Sequence, residues 1–576
     1  MEYTKENEQK AKDIEKMLGY LATIRQSCED SVDEVIKFTN HSRRTIKDKD
    51  RVKGQHTGKD VYDGTSMSAA GLLSDGIHGY LCSQNMHWHD FVLPGKMNYP
   101  RSSRNMRGWT GKRLDEYPDV KRWLNECEEV QYDAFNRSNF YTLNPSYIRE
   151  GATVGTATYF IEEDVGPGRI VFTLPHFREC YIAENQYGQV DTVYRVYKLT
   201  LRQMVQKWGM ERIEELDRQF KTSYKNNPYT EREFIHAVYP RSDFDSTKLN
   251  GANKPIASTW VMRSPLKLVE NTGYWDYPCV TWRWRKNSDE LYGRSPAWDV
   301  YVDVMTANQQ GKSNLIGGQK MVEGPMIGPS DLRGMVESGP NGWTWVDDMN
   351  RLPKPLSEDI KLPYSVEAQE RTDKKIREHF HVDFFLMLYQ AAFNRVQLTA
   401  TQVIGMQGEQ AAVLGTRVGN FQNEGLDPIM DRVFNIEREA GRMPEPPEIV
   451  IESGINRIEI DYLGPLAQAQ KKLFRVQSMR AGLEMAGAVA QAIPESLDVI
   501  DGDQTMQEAL EISGFPPSCI RDDAAIAKKR LIRAQAQQAQ LMVQNAVEIG
   551  KAMPGAGKKP EEGSPLNQLM TGEIEI

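Results

Sequence analysis

The sequence lacks any long uninterrupted apolar segment. Across its 576 residues there is no run long enough to cross a lipid bilayer, which takes about 18 apolar residues or more. A membrane-spanning helix is therefore excluded, and we expect no membrane partner. The first residues, Met1 to Glu8, are charged and lack the apolar core of a signal peptide, so export by that route is not expected.

Cysteine is scarce. The sequence has 6 cysteines and no CxxC pair, which argues against a disulfide framework and against a zinc-ribbon site. We expect reduced and mostly buried thiols, as in a cytosol-type compartment.

Positive charge is in deficit. Lys and Arg total 71 against 80 Asp and Glu, so the net charge is −9. Tight binding to duplex DNA needs clustered positive charge, which makes this function class a poor candidate. Weak, sliding contact with DNA is still compatible with an acidic chain.

Complete catalytic motifs are also missing. Gln310-Gly311-Lys312-Ser313 resembles the end of a phosphate-binding loop, but Thr306 stands where a glycine is needed and the segment is predicted to be helical. Glu162-Glu163-Asp164 are consecutive beside a turn, whereas a two-metal site draws its carboxylates from separate strands. We therefore predict no enzyme activity and no cofactor.

Histidine clusters give only a weak metal signal. His87-Trp88-His89-Asp90 could place ligands on one face of a strand, but no further cluster has matching spacing. Polar residues around a packed Trp88 are the favoured interpretation. His379 and His381 do not share a helix face, so no metal site is predicted there either.

The first half of the chain predicts an α+β fold. A helix is predicted over residues 5–40 and another over 120–138, followed by a β-hairpin of 156–162 and 169–174. A strand pair should flank Gly188, and Thr200 should cap a helix that ends at Gly209. Further strands are predicted at 234–239 and 278–285.

The second half is predominantly helical. Ser295-Pro296 should begin a helix that ends at Gly317-Gly318, and a second helix should begin near Tyr364. The Gly- and Pro-rich residues between them carry strand-like patches at 321–322 and 343–346. A long third helix should begin at Thr399 and kink at Pro428.

After this third helix we predict a short β return, then helices, then a disordered end. The return comprises residues 449–451 and 458–462, and helices should fill most of the chain from 466 to 550. Two long helices around an irregular insert cannot bury both faces in an isolated chain. Neighbouring copies closing into a ring would cover them.

The order of these elements, with several local phrases, resembles the head-to-tail connector family, the portal proteins of short-tailed phages. Tyr181-Ile182-Ala183-Glu184 and Tyr292-Gly293-Arg294-Ser295-Pro296 are two such phrases. Others, in the same order along residues 10–535, are Gly155-Thr156-Ala157, Leu199-Thr200-Leu201-Arg202-Gln203, Leu398-Thr399-Ala400-Thr401-Gln402-Val403, Leu426-Asp427-Pro428-Ile429 and Leu463-Gly464-Pro465-Leu466.

The resemblance implies a ring-forming portal fold with a mixed wing domain, long stem helices, a small α/β clip and a C-terminal helical crown. The implied map is wing 1–293, stem helix 294–318, clip 319–362, stem helix 363–390, tunnel loop 391–401, return to the wing 402–463, crown 464–550 and a disordered tail 551–576. The stretch from His41 to Gly64 departs from the family pattern and stays unassigned.

The function implied by the resemblance is a channel at one capsid vertex through which genomic DNA is packaged and ejected. The implied partners are identical subunits in a dodecamer, the large terminase subunit, a tail adaptor, scaffolding and major capsid proteins, and double-stranded DNA bound without sequence preference. The virion is the implied location, with the host cytoplasm during assembly.

Candidate contact residues lie in two places. The tunnel-loop candidates for DNA contact are Asn394, Arg395 and Gln397, and the clip candidates are Lys320, Arg333, Arg351 and Lys354. Two other functions stay open at this point, a DNA-packaging or processing enzyme and a virion or tail scaffold protein without a channel.

Overall fold

The computed structural model describes two compact units, residues 1–470 and 471–576. The described residues are 5–40, 60–94, 117–164, 166–245, 247–248, 250–322, 326–330, 333–334, 345, 348, 350, 354–355, 362–382, 415, 419–453 and 457–463, with short helical stretches between 482 and 538. The architecture below is that of the first unit.

The helices in chain order are α1 (Lys5–Thr39), α2 (Thr65–Leu81), α3 (Pro118–Arg137), α4 (Phe140–Val154), α5 (Leu201–Trp208), α6 (Met210–Leu216), α7 (Phe220–Asn226), α8 (Pro296–Asp299), α9 (Tyr301–Val322), α10 (Leu362–His379), α11 (Asp427–Glu439) and α12 (Glu448–Ser453). The strands are β1 (His89–Val92), β2 (Thr156–Asp164), β3 (Arg169–Thr173), β4 (Cys180–Glu184), β5 (Val190–Thr200), β6 (Glu231–Pro240), β7 (Ile256–Arg263), β8 (Leu266–Tyr274), β9 (Cys279–Arg283), β10 (Met326–Ile327), β11 (Lys354–Pro355) and β12 (Glu459–Tyr462).

A five-stranded antiparallel sheet in the order β4-β5-β6-β7-β8 is covered on both faces. Successive residues of one strand point to opposite sides, so Ile235 of β6 packs with Leu18 and Leu21 of α1. Its neighbour Phe234 packs instead with Leu201 and Met204 of α5. The alternation of apolar residues therefore makes β6 the middle of a three-layer arrangement.

The local signals of this region were predictive. The β2–β3 hairpin pairs Glu162 with Val171, as the predicted turn requires. Thr200 and Gln203 form a capping box at the start of α5, and the helix ends at Gly209, whose φ is +81°. Strands β7 and β8 and helices α2 and α4 were not predicted.

A second, larger core lies around the three-stranded sheet β3-β2-β9. Tyr147 of α4 stacks on Tyr159 of β2 with ring centroids 4.0 Å apart. Trp282 of β9 contacts Phe421 at 4.6 Å between ring centroids. Helices from distant parts of the chain therefore share one aromatic core.

Two predictions for the second half were wrong. Helix α9 continues past Gly317-Gly318 to Val322, so residues 321–322 are helical and not strand-like. These glycines weaken a helix but do not end it, because neither takes the positive φ of a C-cap.

The predicted β return is only half correct. Residues 448–453 form helix α12, because the carbonyl of Pro447 accepts hydrogen bonds from the amides of Val450 and Ile451. A short apolar run fits either element, and here the preceding prolines begin a helix. Strand β12 forms as predicted and pairs antiparallel with β1.

The expected kink at Pro428 takes another form. Residues Gln422–Leu426 form a π-helical turn, and Pro428 lies in the first turn of α11 directly after it, where a proline is tolerated. The start of this long helix, at Thr399, lies outside the described residues.

Among the residues that the structure describes, no helix has the length and apolar character needed to cross a membrane. Four of the five described cysteines are buried, in agreement with the sequence.

Candidate functional site

The described ends of α9 and α10 form an antiparallel helical hairpin, hereafter the helical hairpin. Asn314 Nδ2 of α9 donates to Gln369 Oε1 of α10 at 2.6 Å. Farther from the core, Ile327 of β10 pairs with Lys354 of β11. Residue 314 is paired with 369 and residue 327 with 354, so the residue numbers increase along one arm of the hairpin as they decrease along the other. The two helices therefore run in opposite directions.

One end of the helical hairpin is fixed in the large core. Val304 and Ala307 of α9, Ile376 of α10 and Phe380 directly after it are all buried there. The apolar spacing of 376 and 380 is one helical turn, which is why the sequence predicts this stripe.

The end of the unassigned stretch before Gly64 packs on α9. The amide of Tyr62 donates to Asn308 Oδ1 at 2.7 Å, and Asn308 Nδ2 donates to the carbonyl of Asp60 at 3.2 Å. A Cβ at Gly311 would lie 3.0 Å from the Tyr62 carbonyl oxygen, a tight contact that glycine avoids. Gly311 thus serves helix packing, and the segment 310–313 is helical as predicted, not a phosphate-binding loop.

On both sides of its buried residues Val304 and Ala307, α9 exposes large apolar side chains. Val302 is 74% exposed, Leu315 52% and Met321 60%, and Ile327 of β10 is 58% exposed. The 22 residues of α9 include only Asp303, Lys312 and Lys320 as charged residues. Exposed apolar side chains distributed around a helix with so few charges are typical of a helix that contacts other protein chains.

Helix α10 is different, because its exposed face alternates in charge. Glu367 pairs with Arg371 at 2.6 Å, and Lys374 with Glu378 at 3.9 Å. The excess negative charge of the chain is therefore not concentrated on the helical hairpin.

The predicted contact residues are described only in part. Lys320 lies in the last turn of α9 and is exposed, as is Arg333 in a turn. Lys354 lies in β11. Arg351 and the tunnel-loop residues Asn394, Arg395 and Gln397 lie outside the described residues.

A buried ion-pair network connects the helix after the helical hairpin to the sheets. Arg283 of β9 is 2% exposed, donates to Glu424 Oε1 at 2.8 Å and to the carbonyl of Gly188 at 2.9 Å, and contacts Glu184. Glu424 belongs to the π-helical turn. The network therefore joins the end of β9, the β4–β5 turn and the long helix.

A second polar cluster lies at the strand pair β1–β12. Trp88 is 1% exposed, so the predicted packing around this residue is confirmed. His87 precedes β1 and its Nε2 atom contacts Glu128 of α3 and lies 3.4 Å from Asp90 Oδ1. Burial, with the nearby charge and hydrogen bond of Asp90, raises the pKa of Glu128.

Sequence reasoning missed Glu128 because it lies on a different element from His87 and Asp90. A signal was present, since Glu128 falls at helical spacing on the same face of α3 as the apolar Leu124, and that face is buried. A carboxylate on a buried helix face needs a compensating partner. His89, in contrast, is buried against Tyr132 with ring centroids 4.3 Å apart, and burial lowers its pKa to about 3.

Comparisons with known proteins identify the family of this chain. The sequence model of the family described as "Bacteriophage head to tail connecting protein" matches residues 11–520. The portal protein of Salmonella phage epsilon15 is 27% identical over 553 residues, which cover 93% of this chain and 94% of that protein. A probable portal protein of Bordetella phage BPP-1 is 25% identical over 528 residues, with 90% of each chain covered. The chain belongs to the family of bacteriophage head to tail connecting proteins.

Proposed function

We propose that this chain is the portal of a phage capsid, a ring at one vertex through which the genome enters and leaves. Its family joins phage heads to tails, and two relatives that match along nearly their whole length are named as portal proteins. The protein is accordingly a structural component of the virion. We assign it no catalytic step.

The observation that carries the ring is the exposed apolar surface of the helical hairpin. Val302, Leu315 and Met321 lie on a helix whose base is fixed in the core, so the isolated chain cannot withdraw them from water. Neighbouring copies packed side by side would cover this surface, and a closed ring leaves no copy with a bare edge. We propose a dodecamer.

The proposed assignment of regions to the parts of the portal follows chain order. The β-rich unit through residue 293, with α11 and β12, is the wing, and the helical hairpin is the stem. Residues 319–362, including the β10–β11 pair, form the clip, residues 391–401 the tunnel loop and residues 464–550 the crown.

The proposed partners follow from these positions. The clip binds the large terminase subunit during packaging and a tail adaptor afterwards. The candidates for these contacts are Lys320, Arg333, Arg351 and Lys354. Asn394, Arg395 and Gln397 of the proposed tunnel loop are the candidates for DNA contact. Scaffolding and major capsid proteins surround the ring as it assembles in the host cytoplasm.

The test is to assemble phage heads with and without this chain. Heads that contain it should package DNA and accept tails, and heads made without it should do neither. Lys320→Ala with Arg333→Ala should lower packaging while rings still form, and Arg371→Ala with Lys374→Ala on α10 is the matched control. DNA-filled, tailed particles made without the chain would contradict the proposal.

A further inference from the structure

The cluster of His87, Asp90 and Glu128 brings three metal-ligating side chains to one point. One ring nitrogen of His87 and one carboxylate oxygen from each acidic residue all lie within 4.8 Å of one another. Ligands held at 2.0–2.2 Å from a transition-metal ion are separated by roughly 3–4 Å. The His87–Glu128 contact is closer than this, so a small side-chain rotation would let all three side chains reach one ion. The 3.4 Å from His87 Nε2 to Asp90 Oδ1 already has this spacing.

The cluster has few hydrogens to share among its ligand atoms. The His87 Nε2 atom can donate one hydrogen, yet it lies against carboxylates of both Asp90 and Glu128. The Glu128 side chain is only 7% exposed, and its Oε1 atom is the one that contacts His87. In its ionised form, a carboxylate buried in this way is stabilised by a nearby cation, which offsets its desolvation.

The surroundings hold the ligands in place. The Tyr132 hydroxyl accepts hydrogen bonds from the amides of Trp88 at 2.7 Å and His89 at 2.9 Å. These bonds fix the backbone between His87 and Asp90. The Tyr132 ring also packs on the His87 ring with centroids 4.6 Å apart. Support of this kind beyond the ligands is what orients them in metal sites.

We propose that His87, Asp90 and Glu128 bind one divalent transition-metal ion, of the Zn²⁺ or Mn²⁺ class. An imidazole nitrogen with two carboxylates suits these ions better than Mg²⁺ or Ca²⁺, which prefer oxygen ligands throughout. The charges also balance, because two carboxylates neutralise a divalent ion. The exposed side chains of His87 and Asp90 leave room for water as a further ligand.

The ion would have a structural role, as a cross-link between two elements. It joins helix α3 to strand β1, which pairs only with β12 among the described strands. A two-stranded sheet is marginally stable by itself, so an added link to a helix should make separation of β1 from β12 less frequent. This role does not depend on the proposed portal function.

Titration calorimetry tests the site on the full chain after it has been stripped with EDTA. Zn²⁺ should bind with one ion per chain, and Mg²⁺ should bind at least 10-fold more weakly. His87→Ala and Glu128→Gln should each lower zinc affinity by at least about 10-fold. The matched controls are Glu129→Gln, at the exposed position next to Glu128, and His379→Ala, at an exposed histidine on α10.

Hydrogen exchange gives a second readout that a purely structural role of these side chains would not produce. Zinc should slow amide exchange in β1 and β12 of the wild type and leave it unchanged in His87→Ala. Because the His87 side chain is 56% exposed, this variant should fold even if Glu128→Gln does not. Absence of zinc binding by the wild type, or undiminished binding by His87→Ala, would overturn the proposal.

Discussion

Single residues in the aromatic core have little freedom because backbone and rings are in contact. A Cβ built at Gly151 of α4 would overlap the six-membered ring of Trp282, which is 1% exposed. We expect Gly151→Ala to destabilise the protein by about 1–3 kcal/mol, since a buried indole cannot move without displacing its neighbours. Urea unfolding followed by tryptophan fluorescence measures this loss.

Gly71→Ala in α2 is the matched control. A Cβ there would meet nothing within 4 Å, so the same substitution should be neutral or stabilise by up to about 1 kcal/mol. Equal effects at the two positions would show that the contact with Trp282 is not the cause.

His236 makes stability depend on pH. It is 2% exposed in β6, its Nε2 lies 2.9 Å from Ser258 Oγ, and its ring stacks on Trp260 at 4.0 Å. Burial, and then the charges of Lys207 and Arg195, lower the pKa of His236 well below its usual value. The folded state therefore resists protonation, and stability is lost as pH falls below the unfolded pKa of about 6.5.

We expect His236→Gln to make urea midpoints less sensitive to pH between 7 and 5. The wild type should lose up to about 2 kcal/mol more than the variant over this range, from 1.36 kcal/mol per pKa unit. His379→Gln, at an exposed histidine, should behave like the wild type. A slope that is unchanged in His236→Gln would rule out this residue as the source.

At the scale of elements, the Arg283 network holds the π-helical turn against the sheets. Glu424→Ala removes one partner of a guanidinium that is 2% exposed and leaves only Glu184 to neutralise it. The expected loss of stability is about 3 kcal/mol, because an under-compensated buried charge is costly. Urea unfolding measures it.

The matched control is an exposed pair of the same chemistry. Glu367→Ala breaks the pair with Arg371, whose side chain is 73% exposed. Water screens this pair, so the change should stay within about 0.5 kcal/mol. Similar losses in both variants would mean that burial of Arg283 has no special weight.

Elements with local signals could be predicted from the sequence, and those defined by distant partners could not. Thr200 and Gln203 mark the start of α5 because both ends of the capping box lie within one turn. The apolar run 449–451 is compatible with a strand or a helix. It is helical because the Pro447 carbonyl accepts the first hydrogen bonds of α12. Glu128 joins His87 across elements, a proximity that no spacing within one segment reveals.

Assembly of the chains into a ring should depend on the exposed apolar side chains of α9. Leu315→Asp places a carboxylate on a position that is 52% exposed in the single chain and that the proposed ring buries. We expect this variant to fold normally, by circular dichroism, and to fail to form rings, because burial of an unpaired charge is unfavourable. Tyr229→Asp, at a 66% exposed position away from the helical hairpin, is the control and should still assemble.

The most direct test of the proposed function is the mass and shape of the purified wild-type protein at micromolar concentration. Mass photometry combined with negative-stain imaging should find one closed ring with an axial hole and a fixed number of subunits. A well-folded monomer that persists under the same conditions would contradict both the ring and the channel.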